Sequence, residues 1–205
     1  MTTDISPKAG TRGPAEHNIR DQIVQAADAH FRHYGYAKTT VSDLATAIGF
    51  SKAYIYKFFE SKQAIGEAIC TTCLDGLLDG ARAEVDGGTT ASDKFRRFFR
   101  TVVDLSVTLM FEDRKLYDIA AHSALENWES SARYVKHLEE MIAAILLEGR
   151  QSGEFERKTP LDETVSAIRY AMLPFIHPVM LEKQLDDLRD GPNAVIGLIL
   201  RSLAP

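Results

Sequence analysis

Apolar residues recur along this chain at spacings of three and four, and no stretch shows the alternation of a strand. The pattern predicts an all-α protein of about nine helices. The first runs from about His17 to Tyr34, with Ile19, Ile23, Ala27, Phe31 and Tyr34 on its buried stripe, and Gly35 ends it. A compact pair follows within Thr39 to Gln63. Thr40 caps its first member, and Asp43, three residues on, completes a reciprocal cap. Leu44, Ala45 and Ile48 form that helix's stripe, and Gly49 stands where a left-handed turn residue is needed. Phe50 turns back inward and Ser51 caps the second member, whose Ile55, Phe58 and Phe59 face the core.

Two short helices joined by a glycine turn and locked by apolar anchors are the plan of a helix-turn-helix. Its outward set, with two lysines and two tyrosines, suits phosphate and groove contacts on double-stranded DNA. The alternative is a surface helical hairpin of some other all-α protein. Ser61 caps a further helix, from about Lys62 to Val85, whose first turn is expected against a phosphate. The expected DNA contacts are Thr40, Ser51, Lys52, Ala53, Tyr54, Tyr56, Lys57 and Lys62.

The stretch from about Ile19 to Ile69 also resembles the TetR family of bacterial transcription regulators. The most specific part is Gly49-Phe50-Ser51-Lys52-Ala53-Tyr54-Ile55-Tyr56-Lys57-Phe58-Phe59-Glu60-Ser61-Lys62-Gln63. It follows the family's glycine turn, recognition helix ending in Tyr-x-x-Phe, and Ser-Lys opening of the next helix. Ile55-Tyr56-Lys57 departs mildly from the usual Tyr-Tyr or Tyr-Trp before a His or Lys. Beyond Ile69 the resemblance is one of length, helix count and helix order. It implies a homodimeric regulator with a DNA-binding head and a divergent ligand-binding body.

Asp86-Gly-Gly-Thr-Thr is the clearest break in the chain. After it come helices over about Ala91 to Phe111, Arg114 to Asn127, Trp128 to Ser152, Leu161 to Leu188, and a last one, capped by Asn193, to Leu203. Pro174 and Pro178 should kink the helix that begins at Leu161. It and the last helix are too apolar for a solvent-facing end. Pairing with symmetry mates in a four-helix bundle would bury them and set two heads one DNA turn apart. The expected dimer contacts are Val165, Ile168, Ile196, Ile199, Leu200 and Leu203. The alternative is that these residues close the monomer's own core, which periodicity cannot separate from a dimer face.

Charge sharpens the division. Residues 1–62 hold 8 Lys and Arg against 6 Asp and Glu, whereas the remainder holds 16 against 23. A basic head on an acidic body fits nucleic-acid binding. The expected organisation is a disordered arm over 1–16, read as an idle solvated tail before a DNA-contacting one through Lys8 and Arg12, a helix-turn-helix domain over 17–62 and a ligand-binding and dimerisation domain over 63–205. The N-terminus lacks an apolar secretory segment and no apolar run is long and uncharged enough to span a bilayer, so a cytoplasmic location with no membrane partner is expected.

In the body, Tyr117, His122, Trp128, Tyr134, Tyr170, Met172, Phe175 and His177 are the candidates for lining a site for a small amphipathic effector. Cys70 and Cys73 lack a second ligand pair and a preceding strand, so two ordinary buried cysteines are expected rather than a metal or redox site. The chain shows no phosphate loop, nucleophile elbow or His-Glu-x-x-His, and neither an enzyme nor a cofactor is expected. These readings converge on a homodimeric repressor of a palindromic operator, released by its effector. The alternatives are a ligand-independent DNA-binding protein and an all-helical enzyme with dispersed catalytic residues.

Overall fold

The computed structural model describes residues 14–205, with side chains from residue 18 onward. Lys8, Arg12 and the expected arm up to residue 13 lie outside the described residues, while 14–16 belong to the first helix. Ten α-helices and no strand occur among the described residues. They are α1 (Pro14–Tyr34), α2 (Val41–Ile48), α3 (Lys52–Ile55), α4 (Lys62–Asp86), α5 (Ala91–Glu112), α6 (Arg114–Leu125), α7 (Glu129–Ser152), α8 (Leu161–Ile176), α9 (Pro178–Leu181) and α10 (Gly191–Ser202). None is long and apolar enough to cross a membrane.

The apolar stripes build two cores. The head core gathers Ile23, Ala27 and Phe31 of α1, Leu44 and Ala45 of α2, and Ile55 and Phe59 around α3. It continues past residue 62 into Ile65, Ile69 and Leu74 of α4 and Leu116 and Ile119 of α6. The body core packs Phe95, Phe98 and Phe99 of α5 with α7, α8 and α10. Helix α4 contributes Leu78 and Ala81 to this second core, so one rigid element is built into both.

Three expectations are corrected by the packing. The helix beginning at Leu161 does not run kinked to Leu188; it ends at Ile176. Pro174 is accommodated inside α8, but His177, preceding Pro178, is driven to an extended backbone (ψ 122°), and Pro178 opens the separate α9. A 3-10 turn over Leu185–Asp187 follows. Second, α10 starts at Gly191, and Asn193 is not its cap; the Asn193 Oδ1 instead accepts from Arg100 Nε at 2.9 Å. Third, Val165, Ile168, Ile196, Ile199 and Leu203 are no more than 8% exposed within the single chain. They belong to the body core, as in the alternative reading of the periodicity, while Leu200 packs half-buried against the same core. The large apolar side chains that α8 and α10 do present to solvent are Tyr170 and Leu198, each 61% exposed.

Candidate nucleic-acid interface and effector cavity

The head presents α3 on a frame of short-range caps. The Thr40 hydroxyl accepts from Asp43 N at 3.2 Å, and the Asp43 carboxylate accepts from Thr40 N at 2.8 Å and from the Thr40 hydroxyl at 2.7 Å. Gly49 closes α2 at φ 78°, a conformation costly for any side chain with a Cβ. Ser51 Oγ accepts from Tyr54 N at 3.1 Å and starts α3. Lys52, Ala53, Tyr56 and Lys57 emerge exposed, while Ile55 is fully buried beneath them. Tyr54 is held half-buried, its ring edge-on to Phe50 at 5.1 Å and Phe58 at 5.4 Å. The Lys57 ammonium lies 5.5 Å from the Tyr54 ring centre and that of Lys52 5.8 Å from Tyr56. The result is an aromatic surface carrying two exposed cations, which can meet phosphate and base edges together.

Lys62 is anchored within the chain. Its ammonium donates to the carbonyls of Tyr36 at 3.0 Å and Thr39 at 3.1 Å, and stands 4.2 Å from the centre of the Tyr36 ring. With two of its three donors so engaged, it ties α4 to the α1–α2 bridge. Burial lowers its pKa, as a partly desolvated ammonium requires.

Behind this strut lies a seam between head and body that the sequence reading did not identify. Tyr36 packs 5.4 Å from Trp128 and 5.2 Å from His122, and those two rings are 5.4 Å apart. A Cβ on Gly66 would come within 2.9 Å of both the Trp128 and Tyr36 rings, so only glycine lets α4 pass this close. One residue on, the Glu67 carboxylate accepts from Glu129 N at 3.0 Å and Ser130 N at 2.9 Å, capping α7, whose own Trp128 cap position offers no side-chain bond. Burial, and then the Glu67 charge, push the Tyr36 phenol up to about 12. A glycine in mid-helix was the available signal for this seam.

The expected effector residues scatter. Tyr117 and Tyr134 line a cavity of about 40 Å³ with Leu74, Leu77, Ser106 and Leu109, closed by Ile176 and Pro178. Tyr117 Oη donates to the Pro178 carbonyl at 2.6 Å, and burial pushes its phenol up to about 12. Burial also raises the Tyr134 phenol. His122 and Trp128 belong to the seam, and Met172 and Phe175 to the body core, where Phe175 meets Phe99 at 6.2 Å. Tyr170 is excluded from any interior site: it lies outside, under the Arg169 guanidinium at 4.1 Å. His177 sits at the α8–α9 corner, its buried Nδ1 without a hydrogen-bond partner among the described residues. Burial raises the pKa of both Cys70 and Cys73, which favours the unreactive thiol.

Comparison with known proteins bears on the whole chain. Residues 23–69 match the family described as bacterial regulatory proteins, tetR family, and residues 91–196 match the tetracyclin repressor-like C-terminal domain. The HTH-type transcriptional repressor KstR2 of Mycolicibacterium smegmatis is 25% identical over 157 residues, which cover 73% of this chain and 74% of that protein. A TetR-family transcriptional regulator from Pectobacterium atrosepticum shares the fold at a TM-score of 0.76 and 18% identity, over 94% of this chain and 98% of that one. FadR of Bacillus subtilis, solved in complex with stearoyl-CoA, does so at 0.65 and 21% identity, over 89% and 98%. A C-terminal match over half the length, preceded by the helix-turn-helix match, settles the family: the chain belongs to the TetR family of bacterial transcription regulators.

Proposed function

We propose that two copies of this chain grip a palindromic operator, repress transcription from it, and are released by a small amphipathic ligand. The observation that carries this reading is the double membership of α4, which begins under the recognition helix and ends in the body core. Lys52, Tyr54, Tyr56 and Lys57 read the groove and its phosphates, while Thr40 and Ser51 set the helix N-termini that approach the backbone. The pairing face is the outer side of α8 and α10 around Tyr170 and Leu198, not the buried residues beneath it. The protein acts in the cytoplasm, as a regulator and not as a catalyst.

The effector enters between α4, α5, α6 and α7, at Tyr117 and Tyr134. A cavity of about 40 Å³ is far below the roughly 300–1,000 Å³ of small-molecule sites, so binding has to part these helices. Displacing α4 disturbs the Glu67 cap and the Lys62 strut together, which moves the head. The same small cavity favours one second reading, a ligand-independent DNA-binding protein.

Selection of bound fragments from the source genome supplies the operator, and fluorescence anisotropy then measures its affinity. Stearoyl-CoA, present in the FadR structure, is the first amphipath to titrate. A true effector should weaken operator binding about 5- to 150-fold, and operator should weaken effector binding by the same factor. Absence of any selected fragment would overturn the regulator reading for this head. An operator complex indifferent to all amphipaths would favour the ligand-independent reading.

A further inference from the structure

The walls of the effector cavity are leucines and hydroxyls. Leu74, Leu77 and Leu109 supply apolar surface, and Ser106, Ser131, Tyr117 and Tyr134 supply hydroxyl groups. None of the described residues lining the cavity carries a charge. The Arg114 guanidinium lies 5.5 Å from the centre of the Tyr117 ring, but it is outside the lining and paired with Asp118 and Glu182. Two of the hydroxyls are already used: Ser106 Oγ donates to the Val102 carbonyl at 2.7 Å, and Tyr117 Oη to the Pro178 carbonyl at 2.6 Å. Those of Ser131 and Tyr134 make no hydrogen bond among the described residues. A tyrosine hydroxyl inside a packed structure ordinarily finds a partner. Tyr134 packs against both the head core and the body core. Burial raises its phenol pKa, so the hydroxyl is a protonated donor at neutral pH.

We propose that this cavity takes an uncharged ligand with an apolar body and one hydrogen-bond acceptor, of the ketone, ester or lactone class, which accepts from the Tyr134 hydroxyl. A carboxylate or ammonium drawn between these helices would lose its water and meet no counter-charge on the walls, which is the costliest kind of burial. A carbonyl oxygen loses less on leaving water and gains the open donor. The hydrocarbon body takes over the contacts that the leucines give up as the helices part. Because Tyr134 touches both cores, a ligand bonded to it acts where head and body meet. The class rests on the effector reading of this cavity and narrows it from amphipaths in general to neutral ones.

2-Octanone, octanoate and octylammonium are the probes, titrated into the full chain without DNA by calorimetry at neutral pH. 2-Octanone should bind at least about ten-fold tighter than either ion. Tyr134→Phe keeps the ring and removes a hydroxyl that has no partner to lose, so it should melt like wild type and weaken 2-octanone by roughly three- to ten-fold. A second measurement needs no variant. The infrared carbonyl stretch of bound 2-octanone, isotope-labelled at the carbonyl, should lie below its position in alkane solvent, as a hydrogen-bonded carbonyl requires. An ion bound as tightly as 2-octanone, no binding of 2-octanone, undiminished affinity in a folded Tyr134→Phe variant, or a carbonyl stretch at its alkane position would each overturn the proposal. Since DNA is absent from these titrations, such results would leave the regulator reading standing. Conversely, 2-octanone bound through Tyr134 but without effect on the operator complex would overturn the effector reading and leave the ligand class standing.

Discussion

In the head, the caps of Thr40 with Asp43, Ser51 with Tyr54 and Ser61 with Ala64 each join residues three apart. The body has such caps at Thr90 and Asp113, but it adds two that reach across the chain. Glu67 caps α7 from 62 and 63 residues away, and Glu154 holds the first amides of α5, at Ala91 and Ser92, across 63 and 62. Local caps favour their helices before tertiary structure forms. Long-range caps exist only while the packed helices keep their places. The caps of α2, α3 and α4 are therefore locally specified, whereas the start of α7 depends on where α4 lies. In the proposed switch, a displacement of α4 would break the Glu67 cap of α7 together with the Lys62 bonds to the α1–α2 bridge, coupling the two regions.

The largest expected effect tests the body. Ile199→Glu places an unpaired charge in a core position that is 8% exposed. Breaking charge balance in a core costs roughly 3–5 kcal/mol, enough to unfold a marginal domain. The expected outcome is loss of the cooperative urea transition. A variant that stays folded and only becomes monomeric in sedimentation would return Ile199 to the dimer face.

Gly66→Ala tests the seam that joins the two regions. Helix propensity favours alanine by about 1 kcal/mol, whereas forcing a methyl group against the Trp128 and Tyr36 rings costs roughly 1–3 kcal/mol. Net destabilisation is expected, with a shift in the emission of Trp128, the chain's single tryptophan. Net stabilisation with unchanged emission would mean that the seam is not tight.

The same contrast between short and long range explains what could be read from the sequence. Thr40, Asp43, Gly49 and Ser51 were legible because each signal and its partner lie within one turn. The anchoring of Lys62 was not legible, because its acceptors, Tyr36 O and Thr39 O, lie 26 and 23 residues back, and a lysine after a helix cap looks the same with or without them. Ile196 and Ile199 showed that they must be buried, but periodicity does not name the surface that buries them. At Pro174 and Pro178 the breaking chemistry was visible, and only the backbone revealed that His177 yields between them. The candidate effector residues were the least legible, since Tyr117 and Tyr134 reach one cavity from separate helices while Tyr170 turns outward.

Lys62→Met separates a strut from a phosphate contact. Losing two bonds from a charged donor should lower head stability by roughly 1–3 kcal/mol, without changing the salt slope of DNA binding in the fraction that remains folded. A slope reduced by about one charge at unchanged stability would restore the phosphate assignment.

The smallest expected effect compares the two kinds of cap through pH. The Thr40 hydroxyl and backbone N–H hold the Asp43 carboxyl below its ordinary 3.8. Burial lifts that of Glu154, but the N–H groups of Ser92 and Ala91 outweigh it and leave it below 4.5. A carboxyl with a depressed pKa contributes stability that is present above its unfolded value and lost as pH falls through its folded value. At neutral pH both Asp43→Asn and Glu154→Gln should therefore melt below wild type. The Glu154 gap should begin to close as pH drops below 4.5 and the Asp43 gap below 3.8, because the wild-type carboxylates are then protonated as well. Glu154→Gln should show the larger gap, since each Glu154 oxygen accepts from a different α5 amide and the glutamine NH2 leaves one of them without a partner, whereas Asp43 Oδ2 alone accepts both Thr40 bonds and the asparagine oxygen can stand in for it. Melting curves at intervals between pH 7 and 3 provide the measurement. A gap that stays constant with pH would assign the loss to packing rather than to the carboxylate, and a larger gap for Asp43→Asn would reverse the ranking of local and long-range caps.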